Sequence, residues 1–159
     1  MNLAILHEAI AAAHPDRECI ADPRRRLSYG EVSGLARRLA NLLLAHGLGC
    51  HRERAALANH ESGQDHVALY LLNSAEYLEG MLGCYRARVA PFNVNYRYVE
   101  EELLYLFDNA DARAVIYHAS FAPTLGVRES FRVLGEYVLT ENDLLAGLAN
   151  LTHPDIIAI

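Results

Sequence analysis

The chain has 159 residues, of which 14 are basic and 20 acidic, and every basic residue is an arginine. Because lysine is absent, the sequence excludes a phosphate-loop lysine, a Schiff-base lysine and a lysine general base. The formal net charge of −6 argues against a nucleic-acid-binding protein, which normally carries a basic stripe.

The beginning of the chain predicts a helix followed by a short β-hairpin. Asn2 is placed to cap the helix, which ends before Pro15. Two short strands are predicted at residues 17–21 and 26–28, with a turn between them at residues 22–25. The apolar positions of the helix follow helical spacing and are Leu3, Leu6, Ile10 and Ala13.

A second helix is predicted after the hairpin. Ser28 and Glu31 form a capping box at its start, and Gly47 lies where a C-terminal glycine ends a helix. Its apolar face consists of Val32, Leu35, Leu39, Leu42 and Leu43. Residues 48–65 are polar and lack periodicity, which predicts a surface loop.

Three apolar runs of strand length then alternate with two amphipathic helices. The strands are predicted at residues 66–72, 89–94 and 112–117, and Asn73 with Glu76 predicts a capping box for the first intervening helix. The buried positions of the two helices are predicted to be Leu78, Met81, Leu82 and Tyr85, and Val99, Leu103, Leu106, Phe107 and Ala110. This alternation predicts an α/β fold, with a partial, open, mainly parallel sheet flanked by helices, an N-terminal helix and a short β-hairpin.

The pattern weakens after Leu125. Residues 136–139 are compatible with a strand, and Thr140 with Asp143 forms a candidate capping box. Residues 155–159 are apolar and look like the start of a further strand. Because a natural domain seldom ends on an uncompleted strand, we expect residues 126–159 to be a divergent tail produced by truncation or a frameshift.

Compartment is indicated by the cysteines and by the N-terminus. Cys19, Cys50 and Cys84 are scattered and form no paired motif, which indicates reduced thiols. The N-terminal segment lacks a basic region and carries Glu8, so it is a poor signal peptide. No apolar run approaches the roughly 18 residues of a membrane span. We therefore expect a cytoplasmic protein without a transmembrane segment.

Three polar segments that follow the predicted strands are candidates for a ligand crevice. They are Asn73-Ser74, Asn93-Val94-Asn95 and His118-Ala119-Ser120. Open parallel sheets bind ligands at the carboxyl ends of their strands. The alternative, which the residue types favour, is that these segments act as helix caps and turn-formers.

Other clusters have structural explanations that outweigh a functional one. A metal site can be drawn through Cys50, His51, Glu53, His60, Glu61 and His66, but their spacing matches no zinc pattern and favours a solvated loop. Arg24, Arg25 and Arg26 are predicted to form a solvated turn rather than a phosphate clamp. The run 100–102 places three glutamates in the first turn of a helix, where the helix dipole favours them. The glycines of 47–49 follow a helix, which excludes a dinucleotide-binding turn.

Several segments together resemble the AMP-forming acyl-CoA synthetases. They are L-S-Y-x-E at residues 27–31, the apolar strand followed by N-S-x-E at residues 73–76, and P-x-N-V-N-Y-R-Y-x-x-x-E-L at residues 91–103. The resemblance covers about residues 1–125, and residues 93–98 place the chain nearer to the fatty-acid-type ligases than to the adenylation domains of peptide synthetases.

The resemblance implies a domain assignment, a reaction and a set of ligands. It assigns residues 1–125 to the first part of an AMP-binding N-terminal domain. It implies a full-length protein that joins a fatty acid or other carboxylic acid to CoA, with ATP and magnesium as further requirements. Its phosphate loop, ribose-binding aspartate and catalytic lysine match no position here, so we assign no catalytic, cofactor-binding or metal residue. We therefore expect this chain alone to be inactive.

Two alternatives from other classes remain open. In the first alternative, the chain is a non-catalytic α/β binding or interaction module that pairs with a partner chain supplying the missing lobe. A small flavodoxin-like signalling or nucleotide-binding domain is a weaker alternative, because the strand ends show no acidic pocket and no phosphate-cradling loop.

Overall fold

The computed structural model describes residues 2–121, 124–125 and 138–140. Four helices and six strands lie in these ranges: α1 (Leu3–Ala13), β1 (Glu18–Ala21), β2 (Arg26–Ser28), α2 (Tyr29–Ala45), β3 (His66–Tyr70), α3 (Ala75–Ala87), β4 (Ala90–Asn93), α4 (Glu100–Asn109), β5 (Ala112–Tyr117) and β6 (Val138–Thr140). Single 3₁₀ turns occur at Arg54–Ala56 and Ala119–Phe121.

Strands β3 to β6 form an open parallel sheet, and β1 pairs antiparallel with β2. The order across the parallel sheet is β4-β3-β5-β6. Strand β3 is covered on both sides, because Val67 and Leu69 face one apolar cluster while Ala68 and Tyr70 face another. The α/β fold class predicted from the alternation of elements is confirmed.

Two helical layers enclose the sheet. Helices α2 and α3 supply Leu39, Leu43 and Cys84 to the cluster on one face, and α4 supplies Leu103 and Phe107 to the cluster on the other. All five side chains are almost fully buried. The core therefore lies on both sides of β3 and β5, and the carboxyl ends of these strands share one edge of the sheet.

The predicted beginnings of α1 and α2 are confirmed in atomic detail. The Asn2 side chain accepts a hydrogen bond from the backbone N–H of Ala4 at 2.9 Å. The Ser28 hydroxyl accepts from the N–H of Glu31 at 3.2 Å, while the Glu31 carboxylate accepts from the N–H of Ser28 at 2.7 Å. Gly47, just beyond α2, has a φ of 77°, which favours glycine.

The predicted buried face of α3 is wrong at Leu78, whereas Met81 and Leu82 are partly buried against apolar clusters. Leu78 is 47% exposed, and the helix turns small and charged side chains inward: Ala75, Glu76, Glu79, Gly80, Gly83, Cys84, Arg86 and Ala87. Small residues are required because α2 lies very close, with Leu39 Cδ2 2.5 Å from the position that a Cβ of Gly83 would occupy. The predicted Asn73–Glu76 capping box is also wrong. Ser74 is the N-cap residue and makes no side-chain capping bond.

Helix α1 buries a different face from its apolar stripe. Ala4 and Ala11 are buried, whereas Leu3 is 55% exposed and Leu6 and Ile10 are also exposed. Polar contacts to α3 set this orientation. The Asn2 amide donates to the carbonyl of Tyr85 at 2.7 Å, and Glu8 pairs with Arg86 at 2.5 Å.

The strand predicted at residues 136–139 overlaps β6 (Val138–Thr140), and residues 136–137 lie outside the described residues. Val99 precedes α4 as its N-cap residue and is exposed, so its predicted burial is wrong. The Thr140–Asp143 capping box and the strand predicted at residues 155–159 lie outside the described residues.

Candidate functional site

The carboxyl edge of the parallel sheet brings the predicted polar segments together along the backbone. The N–H of Val94, just after β4, donates to the carbonyl of Leu69 at 3.1 Å. On the other side of β3, the N–H of His118 donates to the carbonyl of Tyr70 at 3.1 Å. The segments at 93–95 and 118–120 therefore flank the end of β3, from which residues 73–74 lead into α3.

Most polar side chains at this edge shape turns. Asn95 Oδ1 accepts from the backbone N–H of Arg97 at 3.1 Å, an Asx-type turn. His118 Nδ1 accepts from the N–H of Ser120 at 3.2 Å, and the Ser120 hydroxyl lies 2.7 Å from the same nitrogen. Since Nδ1 is an acceptor, the proton of the neutral ring is on Nε2. These contacts support turn formation, whereas Asn73 and Asn93 are exposed side chains at the same edge.

Tyr70 anchors this edge and was not singled out by the sequence pattern. Its ring is 1% exposed and stacks on Phe121, with the centroids 4.5 Å apart. Its hydroxyl donates to the carbonyl of Tyr98 at 3.2 Å, and burial raises its pKa. Tyr70 thus fastens the turns after β4 and β5 to β3. The available signal was a tyrosine within an otherwise aliphatic strand.

The residues of the metal hypothesis lie at the opposite edge of the sheet, where they contact different groups of the protein. His51 Nε2 lies 2.6 Å from Asp65 Oδ2, and His66 Nδ1 lies 2.5 Å from the carbonyl of Ala110. Cys50 Sγ donates to the carbonyl of Arg52 at 3.3 Å. No group of three His, Cys, Asp or Glu side chains suited to a metal ion occurs within residues 2–121 and the other described positions.

Two polar clefts border this loop, with volumes of about 510 and 390 Å³. Several of their charged side chains are paired with one another. Arg88 donates to Glu53 at 2.8 Å, and this bond and charge lower the pKa of Glu53. The pKa of Glu61 is lowered chiefly by the backbone N–H of Ala58 and also by Arg52 at 3.2 Å. The clefts therefore expose a surface of mixed charge, part of which is paired.

The arginine turn of the hairpin is not simply solvated, as the sequence predicted. Arg24 Nη2 donates to Glu76 Oε2 at 3.1 Å. Arg25 Nη2 donates to Glu76 Oε1 at 2.7 Å and also to Glu79 Oε1. We call these four residues the ion-pair cluster. It was missed because glutamates in a helix are expected to face solvent, although their spacing of three residues put both on one face.

Within the described part of the chain, no helix has the length and apolar character needed to cross a membrane. Cys19, Cys50 and Cys84 are unpaired. Burial raises the pKa of the Cys84 thiol strongly, because its side chain is completely enclosed between α2, α3 and the sheet. A thiol in this environment is structural rather than nucleophilic.

Comparison with known proteins gives consistent matches. The family described as AMP-binding enzyme matches residues 7–151. The medium-chain acyl-CoA ligase Mig of Mycobacterium avium is 55% identical over 116 residues, covering 73% of this chain and 21% of the relative. The 3-oxocholest-4-en-26-oate–CoA ligase of Rhodococcus rhodochrous is 34% identical over 122 residues, covering 77% of this chain and 20% of the relative. The chain thus spans about a fifth of the length of these relatives.

The fold also matches solved structures. The N-terminal domain of FACL13 from Mycobacterium tuberculosis superimposes with a TM-score of 0.82 at 21% identity, covering all of this chain and 38% of that chain. The benzoate CoA ligase of Burkholderia xenovorans LB400 gives a TM-score of 0.77 at 18% identity, covering 94% of this chain and 28% of that chain. At these identities the likeness concerns the fold.

Proposed function

Because the chain belongs to the AMP-binding enzyme family, we propose that its residues 1–125 are the first part of the N-terminal domain of a fatty-acid-type acyl-CoA ligase. The observation that carries this proposal is the 55% identity to a medium-chain acyl-CoA ligase over 116 residues. The second relative is named for a steroid carboxylic acid, which supports a fatty acid or other carboxylic acid as the substrate class.

The reaction proposed for the whole protein has two balanced steps. A carboxylate oxygen attacks the α-phosphorus of ATP, which forms an acyl-adenylate and releases pyrophosphate. The thiol of CoA, losing its proton, then attacks the acyl carbon and displaces AMP to give a thioester. Magnesium would neutralise phosphate charge in the first step.

The residues present do not fit the binding of ATP, magnesium and CoA by this polypeptide alone. The family resemblance requires a lysine near the phosphates and another in catalysis, whereas the 159 residues contain no lysine. The polar groups at the carboxyl edge of the sheet include Asn73, Asn93 and the His118–Ser120 turn. We assign this chain a structural role in the domain and derive no chemical step from it.

Pyrophosphate exchange tests the inactivity of the isolated chain. The 159-residue protein is incubated with ATP, magnesium, labelled pyrophosphate and a panel of fatty acids from short to long chain length. We expect no acid-dependent exchange. Exchange that requires both the acid and this protein would contradict the assignment.

A chimera tests the ligase assignment itself. The matching fifth of the Mycobacterium avium ligase is replaced by this chain, and acyl-CoA formation from a medium-chain acid is measured. We expect the chimera to form acyl-CoA, since 55% of the 116 aligned residues are identical. A matched chimera carrying Gly83→Val, which overfills the α2–α3 contact, should be inactive. A folded but inactive first chimera would contradict the proposal.

A non-catalytic interaction module is the second candidate, favoured by the exposed apolar stripe of α1 formed by Leu3, Leu6 and Ile10. Such a module pairs with a partner chain that supplies the remaining lobe. It predicts co-purification of a second polypeptide with the tagged chain, and loss of that polypeptide when Leu6 and Ile10 are replaced by Ser. A monomer with no bound polypeptide would count against it.

Location and domain bounds belong to the same proposal. Three unpaired thiols support a reducing, cytoplasmic compartment. We place the domain boundary at residue 125, with residues 126–159 as a divergent tail, although the family match extends to residue 151. Reading the downstream nucleotide sequence in all three frames for a phosphate loop tests a frameshift in the tail.

A further inference from the structure

The ion-pair cluster joins two parts of the fold that are otherwise lightly connected. Arg24 and Arg25 lie in the turn of the β1–β2 hairpin, a sheet separate from the parallel one. Their carboxylate partners lie in the first two turns of α3. The other contacts include a small apolar cluster built on Ile20, Val32 and Ala75 and a hydrogen bond from the backbone N–H of Ala75 to the Asp22 carboxylate. The charges are therefore a large part of what holds the hairpin turn against α3.

Burial across the cluster is strongly asymmetric. The side chains of Glu76 and Glu79 are 5% and 1% exposed, while those of Arg24 and Arg25 are 56% and 26% exposed. The arginines thus cover the carboxylates from the solvent side. If the hairpin lifts away from α3, both carboxylates lose their cover and become hydrated.

The charge of Glu79 is incompletely compensated in the docked arrangement. Its Oε1 shares one nitrogen of Arg25 with Glu76, and its Oε2 makes no hydrogen bond within the described residues. Burial is the main reason that the pKa of Glu79 rises to about 7, with Arg25 opposing the rise and Glu76 adding to it. Burial of an ionised carboxylate under these conditions is costly.

Within the described residues, the hairpin and α2 add no charge that shifts the pKa of Glu79 besides those of the ion-pair cluster. On the hairpin, Asp22 accepts from the N–H of Arg24 at 2.8 Å, and this bond lowers the pKa of Asp22. From α2, Leu39 packs on the same helix at Gly83, and Val32 packs beside Ala75. Among the described residues, the charges that shift the pKa of the Glu79 carboxyl are those of Arg25 and Glu76.

We propose that the ion-pair cluster is a proton-operated latch, which holds the β1–β2 hairpin on α3 when Glu79 is protonated and loosens when Glu79 ionises. The sign follows from linkage. The docked state has the raised pKa, so it binds a proton that the released state, with a hydrated Glu79, does not bind between pH 4.5 and 7. The contribution of Glu79 to docking is therefore largest below pH 4.5 and falls as the pH rises to 7.

Amide hydrogen exchange of the 159-residue chain tests the latch. Protection factors, corrected for the intrinsic pH dependence of exchange, are measured at pH 5.5 and pH 8.0 for the amides of β1 and β2 and, as an internal reference, for Val67 and Leu69 in β3. We expect the opening constant of the hairpin to rise about 30-fold across this range. The β3 amides should change much less.

Two variants separate the latch from general destabilisation. Glu79→Gln removes the titrating group and should flatten the pH dependence of the hairpin amides. Arg26→Gln breaks an exposed pair with Glu18 in the same hairpin and should leave the pH dependence intact. If Glu79→Gln keeps the wild-type pH dependence, the proposal is overturned.

A direct titration covers the case in which Glu79→Gln does not fold. The ¹³C shift of the Glu79 carboxyl is followed in the wild-type chain from pH 3 to 9. A midpoint clearly above the ordinary value for glutamate, accompanied by the change in hairpin protection, supports the latch. A midpoint near 4.5, or a raised midpoint with constant hairpin protection, overturns it.

Discussion

Gly83→Ala should destabilise the protein although it replaces glycine with a better helix former. In a helix interior the exchange alone would add about 1 kcal/mol to the free energy of unfolding. The new Cβ, however, would lie 2.5, 2.7 and 2.9 Å from Cδ2, Cγ and Cβ of Leu39. Rotating Leu39 cannot relieve the contact with its own Cβ, and Leu39 is fully buried.

The two effects can be weighed against each other. Overpacking of a core typically costs about 1–3 kcal/mol, and a contact that involves three atoms of Leu39 belongs at or beyond the upper end. We therefore expect a net loss of about 2 kcal/mol in the free energy of unfolding, or about 4–8 °C in Tm for a chain of this size. Thermal and urea unfolding, followed by circular dichroism, measure this loss.

Gly34→Ala is the matched control, because it makes the same exchange inside α2 at a position with no atom within 4 Å of the added Cβ. It should raise Tm by about 2–4 °C. The double variant Leu39→Ala/Gly83→Ala should be more stable than the sum of the single effects, since each change relieves the other. Equal Tm shifts for Gly34→Ala and Gly83→Ala would refute the packing argument.

Three further predictions concern local features. Ser28→Ala should lower the free energy of unfolding, measured by urea unfolding, by about 1 kcal/mol through loss of the capping box. The control is Ser74→Ala, which removes a hydroxyl that caps nothing and should cost at most about 0.3 kcal/mol. Equal costs for the two variants would contradict this prediction. Gly63→Ala would place a Cβ 2.0 Å from the carbonyl oxygen of Arg52, so the His51 amide, which donates to Gly63 at 2.7 Å, should lose exchange protection while β3 keeps its own. Cys84 should resist iodoacetamide in the folded chain at pH 8, whereas the partly exposed Cys50 should be alkylated. Peptide mass spectrometry measures both reactions. Alkylation of Cys84 at the rate of Cys50 would show that the Cys84 side chain is not enclosed in the core.

A feature could be predicted from the sequence when the residues that determine it lie close together along the chain. The caps at Asn2 and Ser28 depend on residues two or three positions apart, so the local sequence determines them. The apolar run of β3 signals burial on both faces without reference to any partner. The parallel sheet follows from the same runs and from the short helical connections between them.

The failures occurred where a distant contact overrides local pattern. The inward face of α3 is set by its close approach to Leu39 and by the arginines of the hairpin, about fifty residues earlier in the chain. The orientation of α1 is likewise set by Tyr85 and Arg86. The apolar stripe of α1 and Leu78 of α3 remain exposed because polar or close-packed contacts take the inward positions. Periodicity in the sequence contains no information about these partners.

The carboxyl edge could be predicted as a place but not in its detail. The strand ends identified Asn93, Asn95 and His118, since every parallel strand must end at this edge. The pattern could not show that Tyr70 and Phe121 would stack at this edge, because that contact joins β3 to the turn that follows β5. It is therefore the aromatic support, rather than the polar rim, that needed the structure.

The composition of α3 has a consequence for the order in which the chain folds. Its two interior glycines, Gly80 and Gly83, each disfavour an isolated helix by about 1 kcal/mol, and Ser74 adds no side-chain cap. Helix α2, in contrast, begins with a complete capping box. A free peptide of residues 75–87 should be unstructured, and α3 should become helical only on a preformed α2. The helix that packs so closely on Leu39 is thus one that depends on its neighbour to form.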